Sequence, residues 1–204
     1  PVDGTAILKR LEECGRICYK SEEKITEDSA EKFVSGIIRR GHEAVLEHCS
    51  ITVKFTCDRG VSHEIVRHRM ASYCQESTRY CNYAQEKFGE EITVIGPCFW
   101  DPATKAGERK LTIWRHAMMD AEDAYFALLE AGCSPQEART VLPNSLKTEV
   151  AMTANLREWR HFLRLRCSPA AHPQMQQVAM MLLKKLHAQI PICFDDIWRD
   201  AHAI

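Results

Sequence analysis

The chain has 204 residues, 45% of them hydrophobic, enough for one domain with a sizeable core. Lys and Arg number 27 against 28 Asp and Glu, a formal charge of -1, so no overall field draws the protein to a nucleic-acid polymer or a membrane surface. No apolar run is long enough to span a bilayer, no secretory leader pattern opens the sequence and no linker-like tract divides it, so a single-domain, soluble, cytoplasmic protein is expected.

In chain order, Ile7, Leu8, Leu11, Cys14 and Cys18 recur at helical spacing. Asp28 with Glu31 has the spacing of a capping box for a second helix that buries Phe33, Val34, Ile37 and Ile38 and stops at Gly41. Between Cys49 and Cys57 the pattern turns to period two, with Ile51, Val53 and Phe55 on one face of a half-buried strand. A helix is expected from Val61 to Ser72, then a loop over Cys74–Thr78, where apolar periodicity is lost. Glu91 to Ile95 is a short strand candidate. Leu111, Trp114, Met118, Ala121, Tyr125, Leu128 and Leu129 stripe a long helix whose apolar face is core, ending near Gly132. Ser134, Pro135 and Glu137 open a short helix that Pro143 closes. Val150, Met152 and Ala154 alternate in a strand running to Asn155, and helices from about Leu156 and about Gln174 finish the chain, Pro191 ending the second. Few strands among many helices, without regular β-α-β alternation, give an α+β fold with a small, mainly antiparallel sheet.

Ten cysteines lie scattered, with no Cys-x-x-Cys pair. Cys14 and Cys18 read as small buried hydrophobes in a reducing compartment. A zinc site from Cys14, Cys18, His42 and His48 is the weaker alternative, and no structural metal is expected.

The densest chemistry lies in Arg67-His68-Arg69-Met70-Ala71-Ser72-Tyr73-Cys74-Gln75-Glu76-Ser77-Thr78-Arg79. Three guanidinium groups, an imidazole and serine hydroxyls in a chain of near-zero charge are suited to an anion, most simply a phosphorylated ligand. On a helix Arg67 and Arg69 would point about 200° apart, so they would serve two ligands, or one ligand at a subunit boundary. An arginine cluster is more commonly a solvated basic face, and the regular interleaving of Arg, His and Ser weighs against that reading here. A second cluster, Asn155, Arg157, His161, Arg166 and His172, lies downstream. Arg157, His161 and Arg164 share one helix face while Trp159, Phe162 and Leu163 can pack inward. Taken alone, such cations are ordinarily solvent-facing. There is no Gly-rich dinucleotide loop, so any nucleotide cofactor must be held by side chains.

The segment Arg67-His68-Arg69-x-x-Ser72-x-x-x-x-Ser77-x-Arg79 resembles the signature of the flavin-dependent thymidylate synthases. Six specified positions coincide by chance in a chain of this length with a frequency on the order of 10⁻⁶. Gly41-His42 through Glu47-His48 and Ala138-Arg139-Thr140-Val141-Leu142-Pro143 are similar to two further family segments in the same order, so the resemblance covers most of the chain. Ala44, Glu64 and His161 depart from residues common in relatives, and Cys74 and Gln75 fall at variable positions, which bears on individual hydrogen bonds and not on the reaction class.

The resemblance implies a homotetramer with active sites at subunit interfaces. It also implies conversion of dUMP to dTMP with methylene from 5,10-methylenetetrahydrofolate and reducing power from NADPH passed through FAD. It places His42, Arg67, His68, Arg69, Gln75, Asn155, Arg157, His161 and His172 around the flavin. It places Glu64, Arg67, Gln75, Glu76, Ser77, Thr78, Arg79, Arg139 and Arg166 around the nucleotide, with Arg166 at the pyrimidine edge as the catalytic group. Pro1 is not an initiator, and relatives carry a strand ahead of the first helix that this sequence is expected to lack. Cys74, Cys81, Cys167 and Ser77 are assigned no nucleophilic role, since none has an identifiable activating partner. Two other classes are carried beside this one: an NADPH-oxidising flavoprotein without methyl transfer, and a nucleotide- or RNA-binding regulator.

Overall fold

A computed structural model describes residues 2–203, whose backbone falls into two compact units. One comprises residues through Val53, His68–Ser72 and from Met152 on; the other comprises Lys54–Arg67 and Tyr73–Ala151. Three strands, β1 (Ser50–Asp58), β2 (Ala71–Gln75) and β3 (Lys147–Asn155), form an antiparallel sheet in the order β1-β3-β2. Helices dominate the rest, in keeping with the α+β expectation.

In the first unit, α1 (Gly4–Tyr19) starts where the Asp3 carboxylate accepts the Ala6 N–H at 3.0 Å. It packs on α2 (Ser29–Arg39), and Gly15 lets the two helices approach: a Cβ there would stand 2.5 Å from the Phe33 ring. Asp28 makes no capping bond, so the expected box does not form; Ser29 Oγ instead accepts the Thr26 N–H at 2.9 Å and donates to Glu12 at 2.7 Å. Val34 and Ile37 are buried as expected, whereas Phe33 and Ile38 are half-buried. Gly41, at φ 72°, turns the chain out of the helix.

Leu156, Trp159, Phe162 and Leu163 of α6 (Leu156–Arg166) form the centre of this unit's core. Met175, Leu183 and Leu186 of α7 (Pro173–Gln189) and Phe194 and Ile197 of α8 (Pro191–His202) join them. Pro191 does end α7 but is itself the first residue of α8, a helix the pattern reading missed.

In the second unit, Asp58 caps α3 (Arg59–Ile65) by accepting the Val61 N–H at 2.7 Å. The helix stops at Ile65, seven residues before the expected end, and Ala71–Gln75, read partly as helix and partly as loop, is strand β2. Its side chains alternate between half-buried and exposed, so it carries little apolar signal and is specified by backbone pairing to β3. The segment Glu91–Ile95 supplies a single bridge, Val94 to Leu146. A small core of Tyr83, Ile92, Tyr125, Ala138 and Leu146 gathers against α4 (Lys105–Glu130) and α5 (Pro135–Ala138), whose Ser134–Glu137 capping box forms as expected. Of the α4 stripe, Leu111 and Tyr125 are buried and the others are half-buried, so the stripe is less of a core than its spacing suggested.

All ten cysteines are free thiols; Cys14 is half-buried and Cys18 exposed, contrary to the expectation that both are buried. No helix among the described residues is long and apolar enough to cross a membrane.

Candidate active site

Residues singled out in the sequence gather in two places, one in each unit. In the first, the alternating burial of β3 ends at Asn155, whose Oδ1 accepts the Glu158 N–H at 2.9 Å and caps α6. That cap holds the Glu158 carboxylate in the helix's first turn, where the helix dipole favours a negative charge. His68, only 4% exposed, lies against the Phe162 ring (4.8 Å between centroids) and the His161 ring (5.5 Å). Its Nδ1 is 3.0 Å from Glu158 Oε1, and Arg166 Nε donates to its Nε2 at 3.1 Å.

These two contacts fix the state of the imidazole. An arginine Nε–H can only donate, so Nε2 must present its lone pair, and Nδ1 must carry the proton that Glu158 accepts. Burial holds the His68 pKa below its ordinary value; the Arg166 charge acts in the same direction and the Glu158 hydrogen bond opposes it. His68 is therefore a neutral imidazole linking a carboxylate to a guanidinium.

Beside it opens a cleft of ≈ 320 Å³, lined by Met70, Asn155, Arg157, Glu158, His161 and Arg164 together with Glu43 and Glu47. Arg157, His161 and Arg164 do share one face, as their spacing predicted, and that face lines the cleft. Arg157 Nη1 pairs with Glu47 Oε1 at 2.6 Å, both side chains being about half exposed. The ligand atoms of His68, Glu158 and His161 all lie within 4.8 Å of one another, close enough for a metal. The donor logic weighs against one: a metal on Nδ1 would need the lone pair of a nitrogen that must keep its proton while Arg166 occupies Nε2.

Arg160, which the sequence reading passed over, is fully buried. Its guanidinium donates to Asp196 at 2.9 and 2.6 Å, to Glu43 at 3.1 Å and to the Cys193 carbonyl. Arg164 reaches the same two carboxylates at 3.1 Å each. Both carboxyl groups stay below their ordinary pKa because these arginine contacts outweigh the upward push of burial. This network ties α6 to α8 and to the 3₁₀ segment Glu43–His48 that forms one wall of the cleft.

In the second unit the motif continues as a tight turn. The Ser77 carbonyl accepts the N–H groups of Tyr80 (3.1 Å) and Cys81 (2.9 Å), and Ser77 Oγ accepts the Arg79 N–H at 3.3 Å. Thr78 is buried beneath it. Arg79 is exposed, its Nε donating to Gln136 at 3.1 Å; Arg139, also exposed, follows three residues after Gln136. Gln75 donates to Ser62 (2.9 Å) and Thr148 (3.3 Å). Glu76 accepts from Tyr83 at 3.0 Å and pairs with Lys147 at 3.3 Å. Glu64 lies in the last turn of α3, its side chain half-buried. Arg59 has its Nη1 buried with no hydrogen-bond partner among the described residues, a donor that nothing in the sequence singled out.

The other expected residues are more dispersed. Arg67 and Arg69 are exposed on either side of buried His68, in a turn and not on the expected helix. His42 is exposed, with Nδ1 2.8 Å from the Tyr19 hydroxyl, and does not line the cleft. His172 caps α7 through its carbonyl and is likewise exposed outside the cleft.

Residues 2–192 match the family described as thymidylate synthase complementing protein. A flavin-dependent thymidylate synthase of Geobacter sulfurreducens is 34% identical over 188 residues, covering 89% of this chain and 78% of the relative. That of Pyrococcus furiosus is 34% identical over 174 residues (84% of this chain, 68% of the relative), and that of Corynebacterium aurimucosum 34% over 207 residues (91% and 78%).

Proposed function

The chain belongs to the thymidylate synthase complementing family, and from that premise we propose that it is a flavin-dependent thymidylate synthase. The reaction is the reductive methylation of dUMP to dTMP, with 5,10-methylenetetrahydrofolate as methylene donor and NADPH as reductant through FAD. The observation that carries the assignment is the meeting of motif residue His68 with Arg166, 98 positions away, in a contact that ties one guanidinium to a buried imidazole.

The residues around the cleft fit a flavin cofactor in kind: cationic Arg157 and Arg164 suit phosphate or a carbonyl edge, and Asn155 and His161 add polar contacts to the wall. When bound, the flavin supplies the hydride chemistry that links NADPH to the folate-derived carbon. The protein's own task is different. C5 of uracil is a weak carbon nucleophile, and a fixed cation at the N3 and carbonyl edge favours the electron-rich, enolate-like ring. Arg166 performs this role: its Nε donates to His68, which fixes the plane of the rigid guanidinium. Arg79 and Arg139, exposed near the Ser77 turn, hold the nucleotide phosphate, because guanidinium forks open to solvent suit a dianion. The protein works as a homotetramer whose sites are shared between subunits.

Anaerobic turnover with FAD, NADPH, dUMP and methylenetetrahydrofolate, each omitted in turn and dTMP followed by mass spectrometry, tests the assignment. The expected result is dTMP only when all four are present. Flavin reduction without dTMP would overturn it.

A further inference from the structure

We propose that Glu158 is a positioning residue that acts on Arg166 through His68, by dictating which ring nitrogen of the imidazole carries the proton. The inference deepens the reading of Arg166 given above and rests on it. Its basis is the linear order of three side chains, Glu158 Oε1 to His68 Nδ1 at 3.0 Å and His68 Nε2 to Arg166 Nε at 3.1 Å. The order has a direction. A carboxylate only accepts and an arginine only donates, so a neutral histidine between them has one workable tautomer, with the proton on Nδ1. A free neutral imidazole has no such constraint, and the Nε2–H form would set two donors against each other and turn Arg166 away. Glu158 is itself held: its backbone N–H is bound by Asn155, its side chain is 11% exposed, and the His68 side chain is 2% exposed. The carboxylate therefore selects the tautomer without touching substrate, a role that outer partners of functional histidines commonly fill.

The charged and titratable groups facing His68 include Glu158, Arg166 and His161. As pH falls and His68 takes a second proton, its Nε2 becomes a donor and the link to Arg166 breaks. Glu158, by favouring the imidazolium, moves that break to higher pH; Arg166 and burial move it lower.

The test uses two substitutions. Glu158→Met removes the acceptor at similar volume, and Glu158→Gln keeps an acceptor oxygen without the charge. Nitrogen-15 NMR of histidine-labelled protein, with the His68 signal identified by its loss in His68→Gln, reads the tautomer directly. The parent should show the proton on Nδ1, and Glu158→Met should weaken that preference so that the Nε2–H form becomes populated. In turnover, Glu158→Met should lower kcat on the order of 10–100-fold with little change in the dUMP KM. Glu158→Gln should recover most of the rate while the acid limb of its pH profile moves to lower pH. A purely structural role would leave that limb where it is. A parent His68 protonated on Nε2, a Glu158→Met enzyme with normal kcat, or an unmoved limb in Glu158→Gln would each overturn the proposal. Should Glu158→Met not fold, the Gln variant alone decides through its limb. If the parent makes no dTMP, or Arg166→Ala is as active as the parent, the functional reading fails instead, and the tautomer measurement still stands.

Discussion

Arginines of α6 and arginines near the Ser77 turn do opposite things with the same functional group. Arg160 has every guanidinium nitrogen engaged by carboxylate or carbonyl and no exposed surface, and Arg166 is linked to a buried histidine. Arg79 and Arg139 stand exposed, one bonded at Nε to a neutral glutamine. The first pair is organised before any ligand arrives, whereas the second gains strong partners only when an anion does. Substitutions in α6 should therefore affect stability or the chemical step, and substitutions near the turn should affect binding.

The largest expected effect is Arg160→Ala. Removing a buried guanidinium leaves Glu43 and Asp196 to the partly exposed Arg164 alone, and breaking a buried pair costs up to about 3–5 kcal/mol, less here because Arg164 remains and Asp196 is partly solvated. Denaturant unfolding at neutral pH should show that loss; a change under about 1 kcal/mol would mean the network is no more organised than a surface pair. The comparison sharpens with acid. Glu43 and Asp196 have folded pKa values below their ordinary 4.5 and 3.8, so their contribution is complete above those values and is lost as pH falls through the depressed ones. His68, depressed from 6.5, contributes above that value and loses its contribution earlier in the descent. Unfolding free energy should begin to decline below about pH 6.5 in the parent and lose that first part of the decline in His68→Gln.

Next comes Arg166→Ala. A preorganised charge at developing negative density is commonly worth ~10²–10³ in rate. The dTMP rate should fall by that order while bound flavin stays near the parent level, measured by absorbance after gel filtration. Rate and flavin falling together would assign Arg166 to cofactor binding. Arg79→Ala should do the reverse, raising the dUMP KM roughly tenfold or more, as loss of a charge-assisted hydrogen bond does, with kcat little changed. A kcat defect at saturating dUMP would erase the distinction between the two regions.

How much of this could be read beforehand depended on whether apolar periodicity was present. β3 alternates through Val150, Met152 and Ala154, and α6 shows Trp159, Phe162 and Leu163 at helical spacing, so the frame that carries Arg157, His161 and Arg164 was legible. β2 was not: Ser72 to Gln75 is polar, its side chains never become fully buried, and what makes it a strand is pairing with residues more than 70 positions away. Arg160 was hidden for a related reason. Its partners Asp196 and Glu43 lie 36 and 117 positions off, and an arginine among arginines carries no sign of which one is buried. Glu158 was not singled out in the sequence, since a first-turn helix carboxylate carries no mark of its partner; its pairing with His68 needed the fold.

The smallest effect concerns the one α6 arginine that breaks the pattern. Arg157 is paired, but with an exposed Glu47, and exposed pairs contribute only about 0–1 kcal/mol because water and salt screen them. Glu47→Ala should therefore leave the unfolding midpoint almost unchanged. Its consequence should lie in binding, since Glu47 at 2.6 Å competes with any ligand anion for the same guanidinium. Freed of that competitor, Arg157 should retain flavin a few-fold more tightly at low salt, with the advantage shrinking as ionic strength rises. Equilibrium dialysis at two salt concentrations would read this. Weaker binding in Glu47→Ala would show that the pair orients Arg157 for the cofactor, which would place it with Arg160 and Arg166 among the preorganised arginines.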